Sequence, residues 1–112
     1  MNTNEIYDAL KDVPHFVGVF SSNTIPYINQ GSIVVNTQSD NLGGEHWICA
    51  IINDIILYYD PLNFPLSISL YNYFLSLNKN FYQVPFASQS ISSQLCGEYC
   101  VFFIKNQYPA FK

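Results

Sequence analysis

Arginine is absent from the 112-residue chain, and the four lysines, Lys11, Lys79, Lys105 and Lys112, stand singly. No basic stripe exists to track phosphates, and a net charge of −4 adds repulsion, so nucleic acid is a poor candidate partner. Charge of either sign is scarce: 11% of residues carry it, against roughly 25% in ordinary soluble domains. No apolar run approaches the length of a membrane span, and the acidic, polar opening MNTNEIYDALKD is unlike a signal peptide. These absences lead us to expect an intracellular, soluble protein without membrane contact. Only three cysteines occur, an odd number that argues for free thiols over a disulfide framework.

Apolar residues are plentiful, at 49% with 17% aromatic, which argues against disorder and leaves room for a partner surface. The length suits one domain with a single modest core, so any function must sit on that core. Ile6, Ala9 and Leu10 recur at helical spacing, and Asn2 with Glu5 can form a capping box, so a helix is predicted over 4–11, ended by Pro14. HFVGVFS (15–21) and SIVVNTQ (32–38) read as strands. HWICAII and IILYYD flank the turn-prone pair Asn53-Asp54 as a hairpin. Both hairpin strands are apolar on both faces and need cover from two sides. Leu70, Phe74 and Leu77 make a helical stripe over 65–79 with Ser67 as cap, although the β-branched and aromatic content also permits strand. FYQVPF reads as a last strand, and CGEYCVFFIKNQY as a terminal helix. The predicted class is α+β, with helices flanking a small, mainly antiparallel sheet.

A hairpin turning near residue 53 sets position 46 opposite 60 or 61, making His46 and Asp60 neighbours at its open end. An aspartate beside an imidazole fixes its tautomer and stabilises its protonated form, as a catalytic histidine requires. The segment FASQSISSQLCGEYC can supply a nucleophile. Cys96 stands where a polar loop meets a helical pattern, and at a helix N-terminus the unpaired amides and dipole favour thiolate. Gly97 permits close backbone approach, and Gln89 or Gln94 can add a donor to an oxyanion hole beside the Cys96 amide.

Plainer readings stand beside these. A histidine at a strand end is commonly structural, Asp60 before Pro61 is an ordinary turn starter, and Cys96 and Cys100 suit a core. Zinc is the sharper rival, because His46, Cys49, Cys96 and Cys100 count as four ligands. In a strand, however, positions 46 and 49 point to opposite faces, so zinc requires the hairpin assignment to fail. We expect no metal and no cofactor.

The words VNTQSDNLGGEHW, YYDPLN and QSISSQLCGEYC, in that order, resemble the adenovirus-type cysteine protease family, the adenains, and more distantly the SUMO and ubiquitin-like deconjugating proteases. The stretch EIYDALKDVPHFVGVFSSNTIP is similar to that family's N-terminal helix and following strand, so the resemblance runs over essentially the whole chain. It implies an adenain-like cysteine protease fold with the nucleophile at the N-terminus of a helix. Position by position, it implies His46 as catalytic base, Asp60 as the acidic third member, Cys96 as nucleophile and Gln89, seven residues before Cys96, as oxyanion donor. Trp47 matches the family's tryptophan near the active site, and with Gly44 and Gly97 it is expected to border the substrate.

The activity implied is a thiol endopeptidase acting on a polypeptide, such as a capsid or other structural precursor of a virus or virus-like element. It would work inside a host cell, in nucleus or cytoplasm, and in the virion. An activating peptide or protein is compatible with the resemblance. The family's disulfide-linked activator is not implied, because 61–95 holds no cysteine, and neither is DNA dependence. The alternatives are a ubiquitin-like or SUMO deconjugating protease, and a non-catalytic or partner-activated binding module on the same fold.

Overall fold

A computed structural model describes residues 1–37, 46–85 and 95–107. The chain begins with α1 (Thr3–Leu10). Its capping box is formed: Asn2 Oδ1 accepts from the Glu5 amide at 2.8 Å, while the Asn2 amide donates to Glu5 Oε1 at 2.9 Å. Ile6 and Leu10, one turn apart, turn the apolar stripe inward and are fully buried.

Five strands follow: β1 (Phe16–Ser21), β2 (Gly31–Asn36), β3 (Trp47–Ile52), β4 (Ile56–Tyr59) and β5 (Phe81–Gln83). Helix α2 (Ile68–Ser76) lies between β4 and β5, and α3 (Cys96–Gln107) comes last. The strands lie side by side in chain order. β3 pairs antiparallel with β2 and β4, while β1 runs parallel to β2, and β5 parallel to β4. The α+β class stands, but the sheet is mixed rather than mainly antiparallel. The cause is the connections: the chain crosses over through 22–30 between β1 and β2, and through α2 between β4 and β5, and a crossover returns a strand in parallel. Gly31 allows the entry to β2, because its φ is +148° and a Cβ there would come within 2.5 Å of Val17 Cγ2.

The middle strand shows why the hairpin sequence is apolar on both faces. All six residues of β3 are buried, and alternate ones serve different layers. Trp47, Cys49 and Ile51 pack with α1 and α3 in a cluster that includes Ile6, Leu10, Cys100 and Ile104. Ile48, Ala50 and Ile52 pack on the other face with Leu70, Phe74 and Leu77, the stripe of α2 and its C-cap. Ser67 caps α2, its Oγ accepting from the Leu70 amide. The lone Lys79 fastens the β3–β4 turn, donating to the Asn53 carbonyl at 2.6 Å and also to the Asn29 carbonyl. The result is a helix–sheet–helix sandwich in which β3 delivers its first residues, and α3 its own, to one end of the sheet.

Candidate active site

His46 immediately precedes β3, and its carbonyl accepts from both the Thr37 amide (2.9 Å) and Thr37 Oγ1 (3.2 Å). This fixes the backbone from which the imidazole projects. The ladder pairs Cys49 with Tyr59, so one step further sets Asp60 opposite Ile48 rather than opposite His46. The turn is centred on Asp54, one residue later than the sequence suggests, because Asn53, Asp54 and Ile55 all lie in it. His46 and Asp60 are nevertheless diagonal neighbours on one face, within reach of a long side chain. His46 Nε2 lies 3.0 Å from each Asp60 carboxylate oxygen.

The chain beyond Asp60 wraps its carboxylate. The Leu62 amide donates to Oδ1 at 2.8 Å and the Phe64 amide to Oδ2 at 3.3 Å, while the Asn63 amide donates to the Asp60 carbonyl. Asn63 takes the left-handed conformation this tight turn requires (φ +55°), which asparagine tolerates well. The Phe64 ring then returns to lie against the imidazole, with centroids 5.4 Å apart. The imidazole's acidic partner and the turn starter are thus one and the same residue.

On the other side of the imidazole, Cys96 Sγ is 3.4 Å from His46 Nδ1. Cys96 is the first residue of α3, where the amides of the opening turn have no intrahelical acceptor and the dipole favours negative charge. The three side chains form one buried relay, Cys96 being 0% exposed and His46 and Asp60 each 3%. Burial alone would lower the imidazole pKa. The hydrogen bonds and negative charge of Asp60, reinforced by those of Cys96, outweigh it and raise the value to about 9. Near neutral pH the arrangement therefore holds a proton on the imidazole, next to a sulfur at a helix N-terminus.

Trp47 and Gly97, expected at the substrate, are instead enclosed by the chain itself. Trp47 is 2% exposed and donates from Nε1 to the Met1 carbonyl at 3.2 Å. A Cβ on Gly97 would lie 3.2 Å from Met1 Cβ, 3.3 Å from Ile6 Cδ1 and 3.4 Å from Trp47 Cδ1, so the glycine lets α1 and the indole close on the start of α3. Gln89 and Gly44 lie outside the described residues, as does Gln94. Cys49 and Cys100 are buried free thiols of the helix face, beneath the relay. Burial, with the neighbouring Cys49 thiol, pushes the Cys100 thiol well above its ordinary value. Among the described residues, no group of three or more His, Cys, Asp or Glu side chains is placed to hold a metal ion.

Sequence reasoning missed Thr37, Leu62 and Phe64, which hold His46 and Asp60 in place. The run DPLNF carried part of that signal, since an aspartate before proline commonly folds following amides onto its own carboxylate. It also missed a cavity of about 370 Å³ on the α2 side of the sheet, bordered by Asp60 and His46 and otherwise walled largely by apolar side chains. No family model matches the chain, and no curated protein matches it.

Proposed function

We propose that this protein is a thiol endopeptidase of the adenain type, cleaving structural precursor proteins of a virus or virus-like element. The single observation that carries this reading is the buried relay in which one imidazole lies 3.4 Å from the Cys96 sulfur and 3.0 Å from the Asp60 carboxylate. A structural histidine needs one partner; a histidine joining a helix-terminal thiol to a backbone-cradled carboxylate has the parts of a nucleophile, base and orienting acid.

In this mechanism the Cys96 sulfur, its proton passed to His46 Nδ1, attacks the scissile carbonyl carbon. The oxyanion is held by the Cys96 amide and, by the family resemblance, by Gln89. As the C–N bond breaks, His46 returns the proton to the leaving nitrogen, which departs as an amine and leaves a thioester on Cys96. Water, deprotonated by His46, then attacks the thioester, releasing a carboxylic acid and the free thiol. The Asp60 carboxylate holds Nε2–H and stabilises the imidazolium.

The test is incubation of the full chain with a peptide library, reading new termini by mass spectrometry beside Cys96→Ala. Cleavage by the wild type that disappears in Cys96→Ala supports the reading, and cleavage that persists in Cys96→Ala overturns it. A partner-activated form of the same enzyme is the second reading, favoured by the complete burial of Cys96, whose sulfur must be uncovered before a carbonyl carbon can reach it.

A further inference from the structure

The cavity beside His46 is not used by the relay itself. It is lined by Ile48 and Tyr58 of the sheet, by Phe64 and Leu66 of the segment leading to α2, by Leu70 of α2, and by His46 and Asp60 at the edge of the relay. No residue of α3 lines it, so it lies on the Asp60 side of the imidazole, away from Cys96. At about 370 Å³ it falls near the lower end of the roughly 300–1,000 Å³ of ligand pockets, room for one large side chain or two smaller ones. Phe64 and Pro65 at its edge are exposed, so it opens to solvent rather than being a sealed void.

The direction of the chemistry says what would enter it. His46 delivers its proton to the leaving nitrogen, so that nitrogen must sit close to the imidazole while the carbonyl carbon sits at the sulfur. The residues bonded to the leaving nitrogen therefore continue past His46, away from Cys96, toward the cavity. Among the described residues its charged lining groups are His46 and Asp60, already satisfied by each other and, for Asp60, by the amides of Leu62 and Phe64. An entering carboxylate, amide or ammonium would lose water for few partners left free to replace it, whereas an apolar side chain gains by burial.

We infer that this cavity is a specificity pocket for a large apolar side chain on the leaving-group side of the cut, within the first residues after the scissile bond. The inference rests on the protease reading and adds a substrate class to it. Leu66 is the lining residue best placed to set the pocket's size, being half-buried and outside the relay.

The test uses the full chain and a peptide library randomised on both sides of the cleavage point, with product termini read by mass spectrometry. Enrichment of Leu, Ile, Met or Phe among the first residues of the released C-terminal products is expected. Leu66→Trp, which fills the pocket, should lower the kcat/KM ratio between a peptide with leucine at the enriched position and one with alanine there by about 10-fold or more. Leu66→Ala, which enlarges it, should shift the preference toward aromatic residues and covers the case in which the tryptophan variant does not fold. Enrichment confined to the acyl side, or a ratio unmoved by both variants, overturns the pocket while leaving the protease standing. Absence of any cleavage that depends on Cys96 overturns the reading of the chain as a protease on its own, and the pocket with it.

Discussion

His46 Nε2 is held 3.0 Å from both oxygens of Asp60, and that carboxylate is itself held by the Leu62 and Phe64 amides. Two fixed acceptors on one nitrogen leave the other nitrogen, Nδ1, to face Cys96. Orientation is therefore transmitted from a backbone turn through the carboxylate and imidazole to the sulfur.

Asp60→Asn tests this transmission. The amide can keep an oxygen toward Leu62, but it then offers an N–H to Nε2, which turns the imidazole to the tautomer that donates toward sulfur. The base is lost while the packing is retained. We expect kcat on a cleavable peptide to fall on the order of 100-fold or more, with a much smaller change in KM. A kcat within threefold of the wild type would show that the carboxylate is not an orienting group.

The raised His46 pKa fixes the sign of the pH dependence. A folded value of about 9 against 6.5 in the unfolded chain means that the native state binds the proton more tightly. The resulting stability is fully present below pH 6.5 and is lost as pH rises through 9, a contribution on the order of 3 kcal/mol. Urea unfolding at pH 6 and pH 10 should show a loss larger in the wild type than in Asp60→Asn. Tyr58, pushed up to about 12 by burial and the Asp60 charge, does not titrate in that window. The alkaline limb of cleavage should likewise fall near pH 9 and move toward neutral in Asp60→Asn.

Gly97 carries a structural prediction. Adding one methyl brings it to 3.2–3.4 Å from Met1 Cβ, Ile6 Cδ1 and Trp47 Cδ1, contacts that these neighbours must relieve by a few tenths of an ångström. Against this stands the roughly 1 kcal/mol helix advantage of alanine over glycine, so Gly97→Ala should change stability by less than about 1 kcal/mol. Gly97→Val adds branches with no space and should cost about 1–3 kcal/mol. Thermal unfolding of both variants measures the difference, and equal costs would mean that α1 is not packed against the start of α3.

Much of this arrangement was legible in the sequence because local rules and the tertiary fold agree. The Asn2–Glu5 capping box, the Ser67 cap and the double-faced apolar hairpin each specify their surroundings within a few residues. The juxtaposition of His46 and Asp60 was readable because strand parity survives a shift of the turn, even though the direct cross-strand partner of Asp60 differs from the one expected. The parallel edges were not legible, since strand direction depends on how the 22–30 and α2 crossovers pack, and nothing in FVGVFS or FYQ records it. Burial of Trp47 and Gly97 was hidden for a similar reason: an aromatic beside a histidine and a glycine beside a cysteine suit an open cleft as well as a helix contact. Only the arrival of α1, through Met1 and Ile6, decides between them.

The three thiols provide the most direct comparison, since Cys96 and Cys100 are one helical turn apart on α3 and all three cysteines are fully buried. Burial alone would make them equally inert. Only Cys96 has an imidazole within hydrogen-bonding distance among the described residues, whereas burial and Cys49 hold the Cys100 thiol in its protonated form. Treatment with iodoacetamide near neutral pH, followed by peptide mapping, should label Cys96 at least about 10-fold faster than Cys49 or Cys100. His46→Ala should abolish that preference, and all three should react alike in denaturant. Equal slow labelling of the native wild type would mean that access, not ionisation, governs the sulfur, and adding a cleavable peptide or an activating protein should then raise the Cys96 rate alone. Preferential labelling that persists in His46→Ala would break the link between imidazole and nucleophile on which the catalytic reading depends.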